Sequence, residues 1–137
     1  MITGIGVDII EIDRIENSLK RFGASFLQRI FTTGEREYCL SKGDPAPHLA
    51  ARFAAKEACV KAMGTGFSGF GFQELEVLVE ESGRPRLLLR ERARSRQLQL
   101  GISDFLLSLS HSRDYAVAQV LALGQSQKED QDGDCQC

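Results

Sequence analysis

Tryptophan is absent from this 137-residue chain, proline occurs three times and tyrosine twice. So few prolines leave long stretches free for regular structure. An excess of one charge is missing too: 17 basic residues face 19 acidic ones, a formal net charge of −2. That balance counts against a protein that grips duplex nucleic acid by bulk electrostatics. Its basic residues also lack the interleaved aromatics of an RNA-binding sheet, so no nucleic-acid partner is expected. No apolar run approaches the roughly 20 residues that span a bilayer, so no membrane partner is expected either. No charged segment followed by an apolar stretch opens the chain, and a reducing cytoplasm is the expected setting. The four cysteines, Cys39, Cys59, Cys135 and Cys137, lack the paired C-x-x-C spacing of a structural zinc site. They read as free thiols, with Cys135-x-Cys137 an incidental pair on a polar end rather than a metal site.

What is present is ordinary in bulk. Hydrophobic residues make up 42% and charged residues 26%, which excludes collagen-like, fibrous-repeat and wholly disordered classes. One domain is the expectation, burying roughly two-thirds of its unfolded surface without disulfide staples. Residues 2–10, ITGIGVDII, read as a short buried strand. Ile12, Ile15, Leu19 and Phe22 recur at helical spacing and mark an amphipathic helix stopped by Gly23. Residues 24–42 read as helix in pieces, broken around Thr32-Thr33-Gly34 and closed by Gly43. Asp44-Pro45-Ala46-Pro47 reads as a loop, because each proline disfavours helix in the residue before it. From about His48 to Met63 the chain is an alanine-rich helix. A glycine-rich bend, Gly64 to Gly71, leads to strands over 72–80 and 86–90, joined by a turn at Glu81-Ser82-Gly83-Arg84-Pro85. Residues 91–100 form a charged helix, and FLLSLSH and YAVAQVLAL two more strands linked at Ser112-Arg113-Asp114. Early helices and late antiparallel strands give an α+β layer fold over residues 1–124, with a polar, disordered tail at 125–137.

Asp8 stands in an apolar strand, where an acidic side chain costs several kcal/mol unless paired or metal-bound. The plainer alternative is that it marks the strand end and caps the next helix. Glu57 lies in Arg52-Phe53-Ala54-Ala55-Lys56-Glu57-Ala58-Cys59-Val60-Lys61, flanked on one side of the helix by Phe53, Ala54, Val60 and Lys61. Its plainer alternative is a surface i,i+4 pair with Lys61, worth a few tenths of a kcal/mol. Ala51, Ala55, Ala58 and Ala62 form an adjacent small-residue face that lets a neighbour pack very close. Two carboxylates suit Mg²⁺, which is commonly completed by waters and substrate phosphates. Gly64-x-Gly66-x-x-Gly69 matches a dinucleotide fingerprint in letters only. It follows a helix and leads into a strand, the reverse of what that fingerprint requires. Ser110-His111 sits at a strand end, where neighbours point to opposite faces, which disfavours a nucleophile pair. Phosphate contact by His111 and Ser112 is the better functional reading, beside a plain structural turn.

Taken in order, five segments resemble the holo-acyl-carrier-protein synthases, the small bacterial class of 4′-phosphopantetheinyl transferases. They are Gly4-Ile5-Gly6-Val7-Asp8-Ile9-Ile10-Glu11-Ile12-Asp13-Arg14-Ile15, Arg52-Phe53-Ala54-Ala55-Lys56-Glu57-Ala58, Lys61-Ala62-x-Gly64-Thr65-Gly66, Gly83-Arg84-Pro85 and Ser108-Leu109-Ser110-His111-Ser112. The resemblance implies an α+β homotrimer of the phosphopantetheinyl transferase-like fold, with coenzyme A lying between neighbouring subunits. It implies transfer of 4′-phosphopantetheine from coenzyme A to a serine of apo-acyl carrier protein, releasing adenosine 3′,5′-bisphosphate, in fatty acid biosynthesis. The larger, two-lobed class carries a D-x-E pair on the equivalent strand, whereas position 10 here is Ile10. The chain therefore resembles the small class.

The same resemblance implies Asp8 and Glu57 as magnesium ligands and Asp8, Glu57 and Lys61 as the catalytic set. Lys61, one turn beyond Glu57, reaches the same oxygens, and Glu57 is the candidate base for the incoming serine. Arg52, Lys61, Gly83, Arg84, Pro85, His111 and Ser112 are the implied coenzyme A contacts, some supplied by a neighbouring subunit. Arg14 and Arg21 lie seven residues apart, opposite the apolar stripe, and with Arg29 they are implied to hold the acidic carrier protein. Arginine's planar fork suits carboxylates, although a solubilising surface is the plainer reading. A non-catalytic module binding coenzyme A or a nucleotide is the alternative function.

Overall fold

The computed structural model describes residues 1–125. Strand β1 (Ile2–Glu11) is followed by helices α1 (Ile12–Phe22), α2 (Ala24–Ile30), α3 (Thr33–Leu40) and α4 (Pro45–Met63). A 3₁₀ turn over Phe72–Glu74 introduces β2 (Leu75–Val79) and β3 (Pro85–Leu89). Helix α5 (Glu91–Gln99) and strands β4 (Ile102–His111) and β5 (Tyr115–Gly124) follow. The strands form two antiparallel sheets, ordered β1-β5-β4 and β2-β3. This is the α+β architecture expected. The 125–137 tail, with Cys135 and Cys137, lies from residue 126 onward outside the described residues.

Helix α4 is the central element, packed on β1 and β5 on one side and on α1 and α3 on the other. The sheet face beneath it presents Gly4, Gly6, Asp8 and Ile10 from β1, opposite Ala122, Val120, Ala118 and Ala116 from β5. Ala51, Ala55, Ala58 and Ala62 are buried on the helix, as their small-residue face requires. A Cβ built on Gly6 would collide with the Ala58 carbonyl oxygen, and one on Gly4 with that of Ala62. Close approach is what requires glycine at these two positions.

Several expectations need correction. Strand β1 is not buried on both faces: Ile5, Val7 and Ile9 are 61%, 54% and 64% exposed. Strand alternation turns them away from α4, and because Gly4, Gly6 and Asp8 fill the covered face the pattern is the reverse of the usual large-apolar-inward one. The Asp44–Pro47 loop is also not formed, because α4 begins at Pro45. Helical N–H groups in a first turn have no intrahelical acceptor, so Pro45 and Pro47 forfeit nothing there. Gly64, with φ 76°, ends the helix in the left-handed conformation. The strand expected over 72–80 is trimmed to Leu75–Val79, and the one expected over 86–90 shifts by one residue to Pro85–Leu89.

Among the described residues no helix is long and apolar enough to cross a membrane. Cys39 and Cys59 are buried and free.

Candidate active site

Asp8 leaves β1 on the face that meets α4. There Lys61 Nζ donates to Asp8 Oδ1 at 2.9 Å and to the Val7 carbonyl at 3.1 Å. Lys61 therefore pairs across elements with Asp8, in place of the surface pair with Glu57. Asp8 does not cap the next helix either, since Glu11 is the N-cap residue of α1 and makes no side-chain cap. The Lys61 and Asp8 side chains are 53% and 18% exposed, so the pair sits at a rim open to solutes.

Glu57 is half-buried and shares a ridge of α4 with Phe53 and Lys61. Burial raises its pKa, the Asp8 charge raises it further, and Lys61 draws it part of the way back. A carboxylate destabilised by a neighbouring carboxylate gains from a cation placed between them. Asp8 and Glu57 could hold one in that way. No group of three or more His, Cys, Asp or Glu suited to a metal forms among the described residues. That leaves a two-carboxylate donor set, which suits a hard cation that keeps its waters.

A second cluster lies toward the N-terminal end of the same helix. Arg52 is buried, and its Nη1 reaches the His48 carbonyl at a long 3.5 Å while Nε has no partner. Its guanidinium lies 4.5 Å from the centre of the Tyr38 ring, and Lys42 Nζ lies 4.5 Å from that centre too. The His48 ring is 5.5 Å from His111 and 6.2 Å from Tyr38. Burial lowers the His48 pKa first, and the charges of Arg52, His111 and Lys42 lower it further. An unpartnered buried guanidinium nitrogen beside further cationic groups has the chemistry to hold an anion. Sequence reasoning found Arg52 and His111 but missed Tyr38, Lys42 and His48. Their only signal was the four-residue spacing of Tyr38 and Lys42, which acquires meaning once α3 is placed beside α4.

The remaining expected contacts divide. His111 lies opposite Ala116 and Ser110 opposite Val117, so the two side chains do point to opposite faces. The Ser112 backbone N–H donates to the Tyr115 carbonyl at 2.8 Å, which closes the hairpin. Gly83, with φ 89°, turns the β2–β3 hairpin and donates to the Glu80 carbonyl at 2.8 Å. Arg84 and Pro85 line a cavity of about 340 Å³ with Glu80, Arg86 and Asp104 through Leu107. Asp8, Glu57 and Arg52 do not line that cavity. Arg14, Arg21 and Arg29 are exposed on α1 and α2. Ile12 and Ile15 anchor the apolar stripe, but Phe22 at its end is 52% exposed beneath the Arg21 guanidinium.

The profile of the 4′-phosphopantetheinyl transferase superfamily matches residues 4–120. The chain belongs to that superfamily. It is 47% identical over 121 residues to the holo-[acyl-carrier-protein] synthase of Gloeobacter violaceus, across 88% of this chain and 92% of that one. The solved holo-[acyl-carrier-protein] synthase of Neisseria meningitidis matches with a TM-score of 0.84 at 38% identity, over 90% of this chain and 99% of that one. That of Helicobacter pylori, solved in complex with coenzyme A, matches with a TM-score of 0.77 at 31% identity, over 87% and 99%. Within the superfamily, the holo-acyl-carrier-protein synthase family is therefore the one the five motifs belong to. Its fold is the fold described above.

Proposed function

We propose that this chain transfers the 4′-phosphopantetheine group of coenzyme A to a serine hydroxyl of apo-acyl carrier protein, leaving adenosine 3′,5′-bisphosphate. One observation carries the reading beyond family membership. His48, Arg52, Glu57 and Lys61 follow one another along α4, at about 1.5 Å rise per residue. An anion-binding cluster thus continues into a carboxylate–ammonium site, which suits a substrate with a diphosphate and a separate ribose phosphate.

Phosphoryl transfer asks mainly for positioning and charge stabilisation. Asp8 and Glu57 would hold Mg²⁺, which when bound supplies charge neutralisation at the diphosphate oxygens. Lys61, on the exposed rim, holds a diphosphate oxygen and gives a proton to the leaving phosphate oxygen. Glu57 is the base that takes the proton of the serine hydroxyl. The serine oxygen forms a bond to the phosphorus that carries pantetheine, and the bond from that phosphorus to the departing nucleotide breaks. Arg52 and His111, with Lys42 and His48 beside them, hold the ribose 3′-phosphate, and Ser112 lies next to them on the hairpin.

Gly83, Arg84 and Pro85 contact coenzyme A from a neighbouring copy in a homotrimer. The exposed apolar face of Ile5, Val7 and Ile9 supports that association. Arg14, Arg21 and Arg29 receive the acidic carrier protein. Fatty acid biosynthesis in the cytoplasm is the setting, in keeping with two free buried thiols.

The test is incubation with coenzyme A, Mg²⁺ and apo-carrier protein, followed by mass spectrometry of the carrier. The expected result is a gain of one phosphopantetheine that requires the divalent ion. Binding of coenzyme A without that gain would instead leave a non-catalytic binding module.

A further inference from the structure

Beside Glu57 on α4, Lys56 points about 100° further round the helix, into the protein. Its side chain is fully buried, and all three ammonium protons are used. Nζ donates to the carbonyls of Ile30 at 2.7 Å and Phe72 at 3.1 Å, and to Glu35 Oε1 at 2.7 Å. Glu35, equally buried, accepts the Thr32 N–H at 2.9 Å and the Val77 N–H at 2.7 Å. One ion pair thus ties α4 to the end of α2, the start of α3, the 3₁₀ turn and β2.

Stability alone is a poor explanation for such a pair. Desolvating two charges offsets most of their attraction, and well-packed apolar side chains often serve as well or better. Direction is what hydrogen bonds add. The contact of α4 with the sheet is made by alanines on one side and Gly4 and Gly6 on the other. Contacts of this kind set how close the helix lies to the sheet, and directed hydrogen bonds such as those of Lys56 add constraints on its rotation and axial height. The Asp8–Lys61 pair is too exposed to fix them.

We propose that Lys56 and Glu35 are positioning residues for phosphopantetheine transfer, bolting α4 so that Glu57 and Lys61 stand correctly over Asp8. The bolt is one residue from Glu57 along a rigid helix, so a rotation at Lys56 reaches the carboxylate without slack. The inference rests on the assignment of Asp8, Glu57 and Lys61 to the reacting site.

Three variants test it: Lys56→Met with Glu35→Gln, which removes both charges together, Lys56→Arg, and Glu57→Gln as a control on the site itself. Cooperative unfolding, kcat, the two KM values and Mn²⁺ affinity of the chain alone, read by the ion's paramagnetic resonance signal, are measured for each. The paired variant is expected to fold. Its kcat should fall by about tenfold to a hundredfold, since small misplacements of reacting groups cost that much. Its KM values for coenzyme A and carrier should stay within about twofold, and its Mn²⁺ affinity should weaken. Lys56→Arg, which keeps the charge, should recover part of the loss. Wild-type kcat and Mn²⁺ affinity in a folded paired variant, with Glu57→Gln inactive, overturns the positioning role alone. Wild-type turnover in Glu57→Gln overturns the site assignment on which it rests. If both Lys56 variants fail to fold, the pair holds the fold and the inference is rejected.

Discussion

A guanidinium buried with one nitrogen unpartnered is unusual, because a buried donor without an acceptor carries the full cost of its lost hydration. Arg52 is in that state, stacked on Tyr38 and surrounded by Lys42, His48 and His111. An anion would satisfy the guanidinium and offset the crowded positive charge at one stroke. If that anion is the ribose 3′-phosphate, Arg52→Gln should weaken use of coenzyme A far more than use of dephospho-coenzyme A. Hydrogen bonds to charged groups contribute about 1.5–3 kcal/mol, so the preference between the two should narrow by about tenfold to a hundredfold. The measurement is kcat/KM for both substrates in wild type and variant; an equal loss on both places the 3′-phosphate elsewhere. At this scale the sequence was readable wherever a residue was chemically out of place. A carboxylate in an apolar strand flags Asp8, and the ridge on an alanine-rich helix flags Glu57 and Lys61. Tyr38, Lys42, His48 and Lys56 carry no such mark. Each is unremarkable among its chain neighbours and acquires its role only from elements that meet it in space.

Between elements, the spacing of α4 from β1 is set by the absence of side chains. Gly6 lies against the Ala58 carbonyl, a backbone atom that cannot swing aside. Gly6→Ala should therefore push the helix away from the strand that carries Asp8. Overpacking of this kind costs about 1–3 kcal/mol, so the unfolding midpoint should drop measurably. Because the same movement separates Asp8 from Glu57, turnover at a temperature where the variant is fully folded should fall as well. Gly43→Ala is the control, since an added Cβ there meets nothing within 4 Å. A folded Gly6→Ala with full turnover would show that the spacing serves packing alone. The close approach was legible from the alanine face of the helix, and the helix itself from its composition. Its start was not, because the rule that a proline ends a helix has an exception at the first turn, and Pro45 and Pro47 fall in it.

The molecule as a whole has a sheet with one covered face and one bare one. Ile5, Val7 and Ile9 on β1, with Leu106 brought alongside through Leu121, leave an apolar surface exposed to water. Large exposed apolar patches mark association surfaces. This face was misread in the sequence because the period of two in β1 is inverted, with the large apolar residues pointing out and Gly4, Gly6 and Asp8 pointing to the helix. Within one chain the Gly83–Pro85 hairpin contributes to a cavity that excludes Asp8, Glu57 and Arg52. We propose that in the assembled oligomer one copy's hairpin meets another copy's α4, so that each coenzyme A site has two owners. Complementation tests this arrangement. Asp8→Asn should be deficient in turnover, and Arg84→Glu in coenzyme A capture, when each is assayed alone. Unfolded together in guanidinium and refolded as a mixture, the two chains should form mixed oligomers. Some sites would then combine an unaltered Asp8 from one chain with an unaltered Arg84 from the next. Activity at subsaturating coenzyme A should exceed the sum of the two variants refolded separately, and the excess should depend on the mixing ratio. A mixture no more active than that sum means that Asp8 and Arg84 do not meet across subunits, and the shared site is then wrong.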